Sequence, residues 1–344
     1  MLQETQKVAI YMEDNLGSDY GKMGYGVMRF SKNPITCAID SRYAGKSTRD
    51  ADLPYDFPVA GSIREARDMG AEVLILGIAP SGGKVPDSWD APLQEAVDLG
   101  MCLVNGLHDD LNERYGAGLK SGQWIWDVRK PRFTPPIAST KAAALDNRRV
   151  LLVGTDMAIG KMTAGLEIYR WILDNHPDIR TDFLATGQIG ITVTGKGIPL
   201  DAFKVDHACG AVEQMVLESA DADLIFIEGQ GSLLHPGSTA TLPLMRGSCA
   251  TDLILCHRAG MTHLDRTSGN VQIPALRDVI ALNESVASAA GALTPAKTVG
   301  IALNTSELGE EEALAEIARL EDETGLPVQD VVRFDAGKIA VTLT

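Results

Sequence analysis

Four short, mainly apolar runs, at 8–11, 35–39, 73–78 and 101–104, punctuate the first third of the chain. Their length and lack of alternation predict strands buried on both faces. Two amphipathic stretches between them open on residues suited to helix capping. Ser62 precedes 63–69 and Asp87 precedes 91–99, and both stretches are expected to be helices. Strand alternating with helix argues for a parallel sheet covered by helices. The same alternation returns after residue 140, with strands expected at 149–153, 182–185, 224–227, 253–256 and 298–303. Helices should start near Lys161, Asp206, Pro274 and Gly309. The intervening Arg129-Lys-Pro-Arg-Phe-Thr-Pro-Pro136 has no periodicity and reads as a linker. The expectation is an α/β chain of two domains, residues 1–138 and 139–344, built mainly on parallel sheets, and its 344 residues suit two domains.

Composition narrows the partners. Apolar residues at 45 % and charged residues at 22 % are ordinary for a globular protein and argue against disorder. The formal net charge is −15, the wrong sign for a binder of nucleic acid or of anionic membrane. Residues 1–140 hold 15 basic and 19 acidic side chains, against 16 and 27 in residues 141–344. Part of that acidity (Glu310, Glu311, Glu312, Glu316, Glu321 and Glu323) falls on one expected helix and reads as a solvated face. No run approaches the roughly 18 apolar residues of a membrane span, and residues 1–11 lack the basic-then-apolar order of a signal peptide. The five cysteines show no metal or disulfide spacing. A cytoplasmic location is expected.

The strongest chemical signal is Arg149-Val-Leu-Leu-Val-Gly-Thr-Asp-Met-Ala-Ile-Gly-Lys-Met-Thr163, a strand, a glycine-bounded loop and a helix in the order of a phosphate-binding loop. Gly154, Thr155, Asp156, Ala158, Ile159, Gly160, Lys161, Met162 and Thr163 are the candidate contacts. Glycines let main-chain N–H groups approach an anion, the helix N-terminus adds its positive end, and Lys161 adds a charge. A plain glycine turn is the competing reading, but a lysine opening a helix opposes the macrodipole and calls for an anion. Two departures stand out. Five residues separate Gly154 from Gly160 where four are usual, and Met162 occupies the place of the magnesium-binding Ser or Thr, leaving Thr163 one position late. The spacing and the Gly-Thr-Asp opening resemble dethiobiotin synthetase and its relatives; the displaced Thr163 argues against magnesium.

Further polar residues follow expected strands. Thr186, Gly187 and Gln188 follow one. Asp206 reads either as the N-cap of the next helix, worth about 1 kcal/mol, or as a catalytic residue, the cap being favoured. His207 beside it is a general-base candidate near neutral pH or a satisfied polar residue. Glu228 ends a very apolar strand, where an unpaired carboxylate is costly, and Gly229 and Gly231 follow at once. Gln230 and His235 lie in the same segment, the histidine before a proline in a loop. Arg246 and Arg258 are placed after strand ends, where a guanidinium can hold a carboxylate or phosphate. In the first domain, Tyr20, Lys22 and the Ser81-Gly-Gly-Lys84 turn are candidate substrate contacts; the competing readings are a plain strand–helix connection for the turn and a role chiefly in assembly for the domain.

Together, Val153-Gly-Thr-Asp-Met-Ala-Ile-Gly-Lys-Met-Thr163, Ala185-Thr-Gly-Gln-Ile-Gly190, Val205-Asp-His-Ala-Cys-Gly210 and Ile227-Glu-Gly-Gln-Gly-Ser-Leu-Leu-His-Pro236 resemble the D-glutamate N-acetyltransferase family. The likeness spans essentially the whole chain. It implies a Rossmann-like N-terminal domain, a P-loop C-terminal domain, acetyl-CoA as cosubstrate, D-glutamate as acceptor and no obligatory metal. Under it, Glu228, Asp206 and His207 become candidate bases and Lys161 or the glycine loops oxyanion donors. Arg246 and Arg258, with Gln188, Gln230 and His235, become candidate substrate contacts, and a homo-oligomer is expected. Two other readings stay open: an ATP- and magnesium-dependent ligase or kinase resembling dethiobiotin synthetase, and a non-catalytic nucleotide-binding regulator.

Overall fold

A computed structural model describes residues 2–265 and 268–344. The chain divides into two compact units, Met1–Lys130 with Gln188–Pro199, and Pro131–Gly187 with Leu200–Thr344. The first contains β1 (Val8–Tyr11), α1 (Lys22–Phe30), β2 (Ile35–Ile39), β3 (Val59–Ala60), α2 (Ile63–Asp68), β4 (Val73–Leu76), α3 (Asp90–Asp98), β5 (Cys102–Asn105), α4 (Leu111–Tyr115) and β6 (Ile125–Asp127). These strands form one parallel sheet in the order β3-β2-β1-β4-β5-β6. Every residue of β1, β4 and β5 is buried, because helices cover both faces of such a sheet. The chain reverses direction across the sheet between β1 and β4, the place where open α/β sheets usually take a ligand. Here the buried Met12 fills it. A methyl group on Gly77 would stand 2.6 Å from Met12 Cγ, and Gly24 N–H donates to Gly77 C=O at 2.7 Å.

The second unit carries β7 (Arg148–Gly154), α5 (Lys161–Asn175) and β8 (Thr181–Leu184). After α6 (Gln188–Thr194), which packs in the first unit, come α7 (Val205–Leu217), β9 (Leu224–Ile227), α8 (Thr241–Ser248), β10 (Asp252–Arg258) and α9 (Leu276–Ala287). The chain ends with β11 (Lys297–Asn304), α10 (Glu310–Thr324), β12 (Val328–Gln329) and α11 (Gly337–Ala340). Its sheet is also parallel throughout, in the order β12-β11-β10-β7-β9-β8. Tyr169, Phe183 and Phe226 pack together on one face of this sheet. β7 is central, so the loop leaving it emerges between the ends of β9 and β10.

Several expectations need correction. Asp87 does not cap α3: residues 87–89 form a 3-10 turn that draws Trp89 into the core against Tyr11, with ring centroids 4.4 Å apart, and α3 starts uncapped at Asp90. Asp206 is not an N-cap either. α7 starts at Val205 after Lys204 with no side-chain cap, and Asp206 lies exposed in its first turn. Arg246 does not follow a strand; it sits inside α8. The glutamates of α10 are only partly a solvated face. Glu316 and Glu323 grip Arg319, Glu321 pairs with Lys338, and Glu312 accepts from Gly309 N–H.

The linker is irregular, as its prolines predict, yet it is fastened to α7. His207 Nδ1 lies 3.0 Å from Pro135 O, and the buried Glu213 accepts from Ser139 N–H at 3.0 Å and from Lys141 N–H at 2.7 Å. A Cβ on Gly210 would come within 1.7 Å of Pro136 O, so only glycine lets the strap lie down. This gives the Val205–Gly210 motif a structural meaning. Glu213→Ala, which strands two charge-assisted hydrogen bonds, should lower the unfolding free energy by about 2 kcal/mol in denaturant titration, with the slope unchanged.

Candidate functional site

The loop from Gly154 to Lys161 is shaped mainly by groups on β10 and the segment after it. Thr155 N–H donates to Cys256 O at 3.2 Å, and Thr155 Oγ1 lies 2.9 Å from His257 Nδ1. Both side chains are buried, and burial pushes the His257 pKa down to about 4, so the ring is neutral near pH 7. Asp156 is also buried: one carboxylate oxygen accepts from Met157 N–H at 2.6 Å, the other from Asp265 N–H at 2.8 Å. Thr155 and Asp156 therefore use their side chains to hold the loop's shape. Met157 and Ala158 are exposed at its tip, and Ile159 is buried beneath.

α5 begins at Lys161 with Gly160 before it and no side chain capping its end. The N–H groups of the first turn, including those of Lys161, Met162 and Thr163, have no acceptor within the helix. They form a ready anion seat. Lys161 itself is only 6 % exposed, and its ammonium donates to Asp156 O at 2.7 Å. Burial pulls its pKa below the usual lysine value, against the attraction of Cys256, Asp156 and Glu228. The amine is thus held beside the open helix end with a main-chain carbonyl as its hydrogen-bond acceptor, a donor set that fits phosphate oxygens.

Glu228 follows β9 directly and is 4 % exposed. Its Oε2 accepts from Thr186 N–H at 2.8 Å and Gly187 N–H at 3.2 Å, while Thr186 Oγ1 donates to Glu228 O at 3.0 Å. Burial raises the carboxyl pKa to about 7; the two N–H donors and Lys161 oppose the rise. The lysine stem passes close over the next residue, since a Cβ on Gly229 would lie 3.0 Å from Lys161 Cδ and 1.7 Å from Leu152 O. A buried carboxyl titrating near neutrality beside a buried lysine is a chemically poised pair.

The other candidates distribute unevenly. Gln230 stays with Glu228, its carbonyl accepting from Thr241 Oγ1 at 2.8 Å. His235 is folded into the 232–238 turn, where Nδ1 accepts from Gly237 N–H at 3.1 Å. Gln188 opens α6 and accepts from Arg129 Nη2 at 2.9 Å within the first unit. Arg258 is ion-paired with Asp265 and lies 3.9 Å from Glu307. Arg246 is half-buried with no acid opposite it among the described residues, and its charge acts on the Cys209 and Cys249 thiols. In the first unit the Ser81–Lys84 turn is pinned: His108 N–H donates to Gly83 O at 2.7 Å and Val85 N–H to Asp109 at 2.7 Å. Lys84 is exposed, as is Tyr20. The residues that sequence reasoning passed over are His257, Thr186 as a donor to Glu228, and Asp265. A histidine closing a buried strand was the available signal for the first; the others act through main-chain groups and leave none.

The family model described as the P-loop domain of unknown function DUF1611_C matches residues 136–340, and that of the Rossmann-like domain DUF1611_N matches residues 41–131. The D-glutamate N-acetyltransferase of Tritonibacter scottomollicae is 36 % identical over 286 residues, 82 % of this chain and 84 % of that protein. A D-glutamate N-acetyltransferase of Pseudoalteromonas sp is 34 % identical over the same shares. The crystal structure of a DUF1611 family protein from Anabaena variabilis ATCC 29413 is similar at a TM-score of 0.91 and 47 % identity, covering 98 % of this chain and 99 % of that one. A Rossmann-like unit followed by a P-loop unit, with relatives of one named activity, selects among the three readings left open by the sequence. The chain belongs to the DUF1611 family, to the D-glutamate N-acetyltransferases within it, and its class is that of an acyltransferase.

Proposed function

We propose that this protein moves the acetyl group of acetyl-CoA to the amine of D-glutamate, a step in D-amino acid catabolism. The names of its two curated relatives support the reaction. The observation that carries the reading in this chain is Glu228, a buried carboxyl raised to about 7 beside the uncapped start of α5. The amine of a free amino acid is protonated near neutral pH and must lose a proton before it can attack. A carboxylate of ordinary pKa is a weak base for that task, and one tuned toward neutrality is better matched. Among the three base candidates, Asp206 is exposed and His207 is engaged with Pro135 O, which favours Glu228.

Acetyl-CoA supplies an activated thioester and carries phosphates. The first-turn N–H groups of α5 and the Lys161 ammonium hold phosphate in this reading, with no step that needs metal or hydrolysis. Arg246 is the arginine open to an acceptor carboxylate, since Arg258 is committed to Asp265 and Glu307.

The direct test is free-thiol release from acetyl-CoA by the purified protein. Release that depends on D-glutamate is expected; its absence overturns the reading. Lys161→Ala should weaken acetyl-CoA binding at least tenfold in calorimetry, because a desolvated cation at a phosphate contact is lost.

Glu228→Gln should lower turnover by roughly a hundredfold or more, and wild-type activity should climb as pH rises through about 7, where the carboxylate forms. Stability moves the opposite way. With a folded pKa above the unfolded one, the native state binds more protons between about 4.5 and 7, so native stability falls as pH rises through that window. The glutamine keeps an oxygen for Thr186 and Gly187 and has no charge to desolvate. Its melting temperature should exceed that of the wild type at pH 8, with the gap shrinking by pH 5.5.

A further inference from the structure

Resting on Glu228 as the base of the acetyl-transfer reading, we infer that Gln188 and Ile189 are positioning residues, whose seating in the first unit keeps the Gly187 N–H on the Glu228 carboxylate. The chain passes from the second unit to the first at the Gly187–Gln188 peptide. Thr186, just before it, is fastened within the second unit. Its N–H donates to Glu228 Oε2 at 2.8 Å, its Oγ1 to Glu228 O at 3.0 Å, and its C=O accepts from Leu200 N–H at 3.2 Å. Gly187 N–H gives the longer bond, 3.2 Å to the same carboxylate oxygen. Glycine is the residue least able to fix its own backbone angles, so the direction of that N–H depends on the segments on either side.

The segment that follows is α6, held within the first unit by its first two side chains. Gln188 Oε1 accepts from Arg129 Nη2 at 2.9 Å, and Arg129 Nε donates to Gly106 O at 2.9 Å. A Cβ on Gly106 would lie 3.2 Å from Gln188 Cγ, and one on Gly26 of α1 would lie 2.3 Å from Ile189 Cγ2. The two glycines thus let α6 lie close against main chain of the first unit. Within α6, Thr192 Oγ1 donates to Gln188 O and Thr194 Oγ1 to Gly190 O, both at 2.8 Å, which ties its 7 residues into one piece. A helix this short does not persist alone, so its order depends on the seat.

The sign of the effect on the base follows. Among the described residues, the charged group acting on the Glu228 carboxyl is Lys161, and the Thr186 and Gly187 N–H groups act beside it. An N–H donated to a carboxylate stabilises its charged form. Unseating α6 loosens the Gly187 donor and leaves Thr186 and Lys161 in place. The carboxyl then holds its proton more readily, and the charged base forms at higher pH.

Two variants unseat α6 in opposite ways. Gly26→Ala pushes a methyl into Ile189, and Ile189→Ala removes the side chain that fills the seat. The double variant adds a methyl at position 26 where the isoleucine branch has been taken away. Hydrogen exchange across 188–194 reports the seat, and the pH profile of D-glutamate-dependent thiol release reports the base. Infrared titration of the carboxyl band that Glu228→Gln lacks reports the base without turnover. Each single variant should exchange faster across 188–194, raise both midpoints by about 0.5–1 pH unit and lower turnover at pH 7 about threefold, with acetyl-CoA affinity within about twofold of wild type. The double variant should restore the wild-type midpoints.

Faster exchange with unmoved midpoints makes α6 merely structural and overturns the inference, and so does a shift that the double variant leaves in place. Unchanged exchange in both single variants removes Ile189 as the anchor and overturns it equally. Ile189→Ala, which only deletes atoms, carries the same readings if Gly26→Ala does not fold. Wild-type protein that releases no thiol with D-glutamate overturns the acetyl-transfer reading, while the infrared midpoints still decide whether α6 sets the proton affinity of Glu228.

Discussion

Two opposite charges taken out of water at the carboxyl end of one sheet set the terms for the rest of the second unit. Lys161 and Glu228 are each more than nine-tenths buried, and burial works on them in opposite senses, lowering one pKa and raising the other. Their mutual attraction offsets only part of that cost, as is usual for buried pairs. The fold must supply the remainder, and it does so with oriented main-chain groups: Asp156 C=O for the ammonium, Thr186 and Gly187 N–H for the carboxylate. An anion at the start of α5 would favour charged Lys161, whereas protonation of Glu228 removes the partner. The two halves of the site are therefore electrostatically linked rather than merely adjacent.

Holding that arrangement requires a rigid loop, and the rigidity comes from β10. His257 meets Thr155, Asp265 N–H meets Asp156, and Arg258 steadies Asp265. Neutral His257 suits this work because a charged ring buried there would bear a desolvation cost of its own. Arg258, which from sequence alone looks like a substrate clamp, acts one contact further back. In the first unit the buried Met12 packs against Gly77 at the corresponding place in the sheet.

The architecture was legible because buried parallel strands leave mainly apolar runs without alternation: 8–11, 35–39 and 224–227 coincide with strands residue for residue. Two-residue strands such as β3 and β12 leave too little pattern to detect. α1 was hidden by its glycines, which serve close packing rather than helix propensity. For the site, Gly154, Gly160, Lys161 and Glu228 stood out because each is odd for its position: a cation at a helix start, an acid ending a greasy strand. Asp206 misled because capping depends on where the helix begins, which a shift of two residues decides. What sequence could not carry was partnership across long separations, such as Glu213 with the linker or Asp156 with Asp265.

A net charge of −15 and an anion seat coexist because they act over different distances. Charges on the surface are screened within about 8 Å at physiological ionic strength, and much of the acidity on α10 is already neutralised by Arg319 and Lys338. Inside, the field at the start of α5 is set by its own N–H groups and by Lys161, which water and salt screen poorly. An extended polyanion would have to lie along the screened but still acidic exterior and gains nothing from one buried lysine. A small ligand with a few phosphates needs only the seat. The net charge therefore describes the exterior, while the start of α5 answers to its own N–H groups and to Lys161.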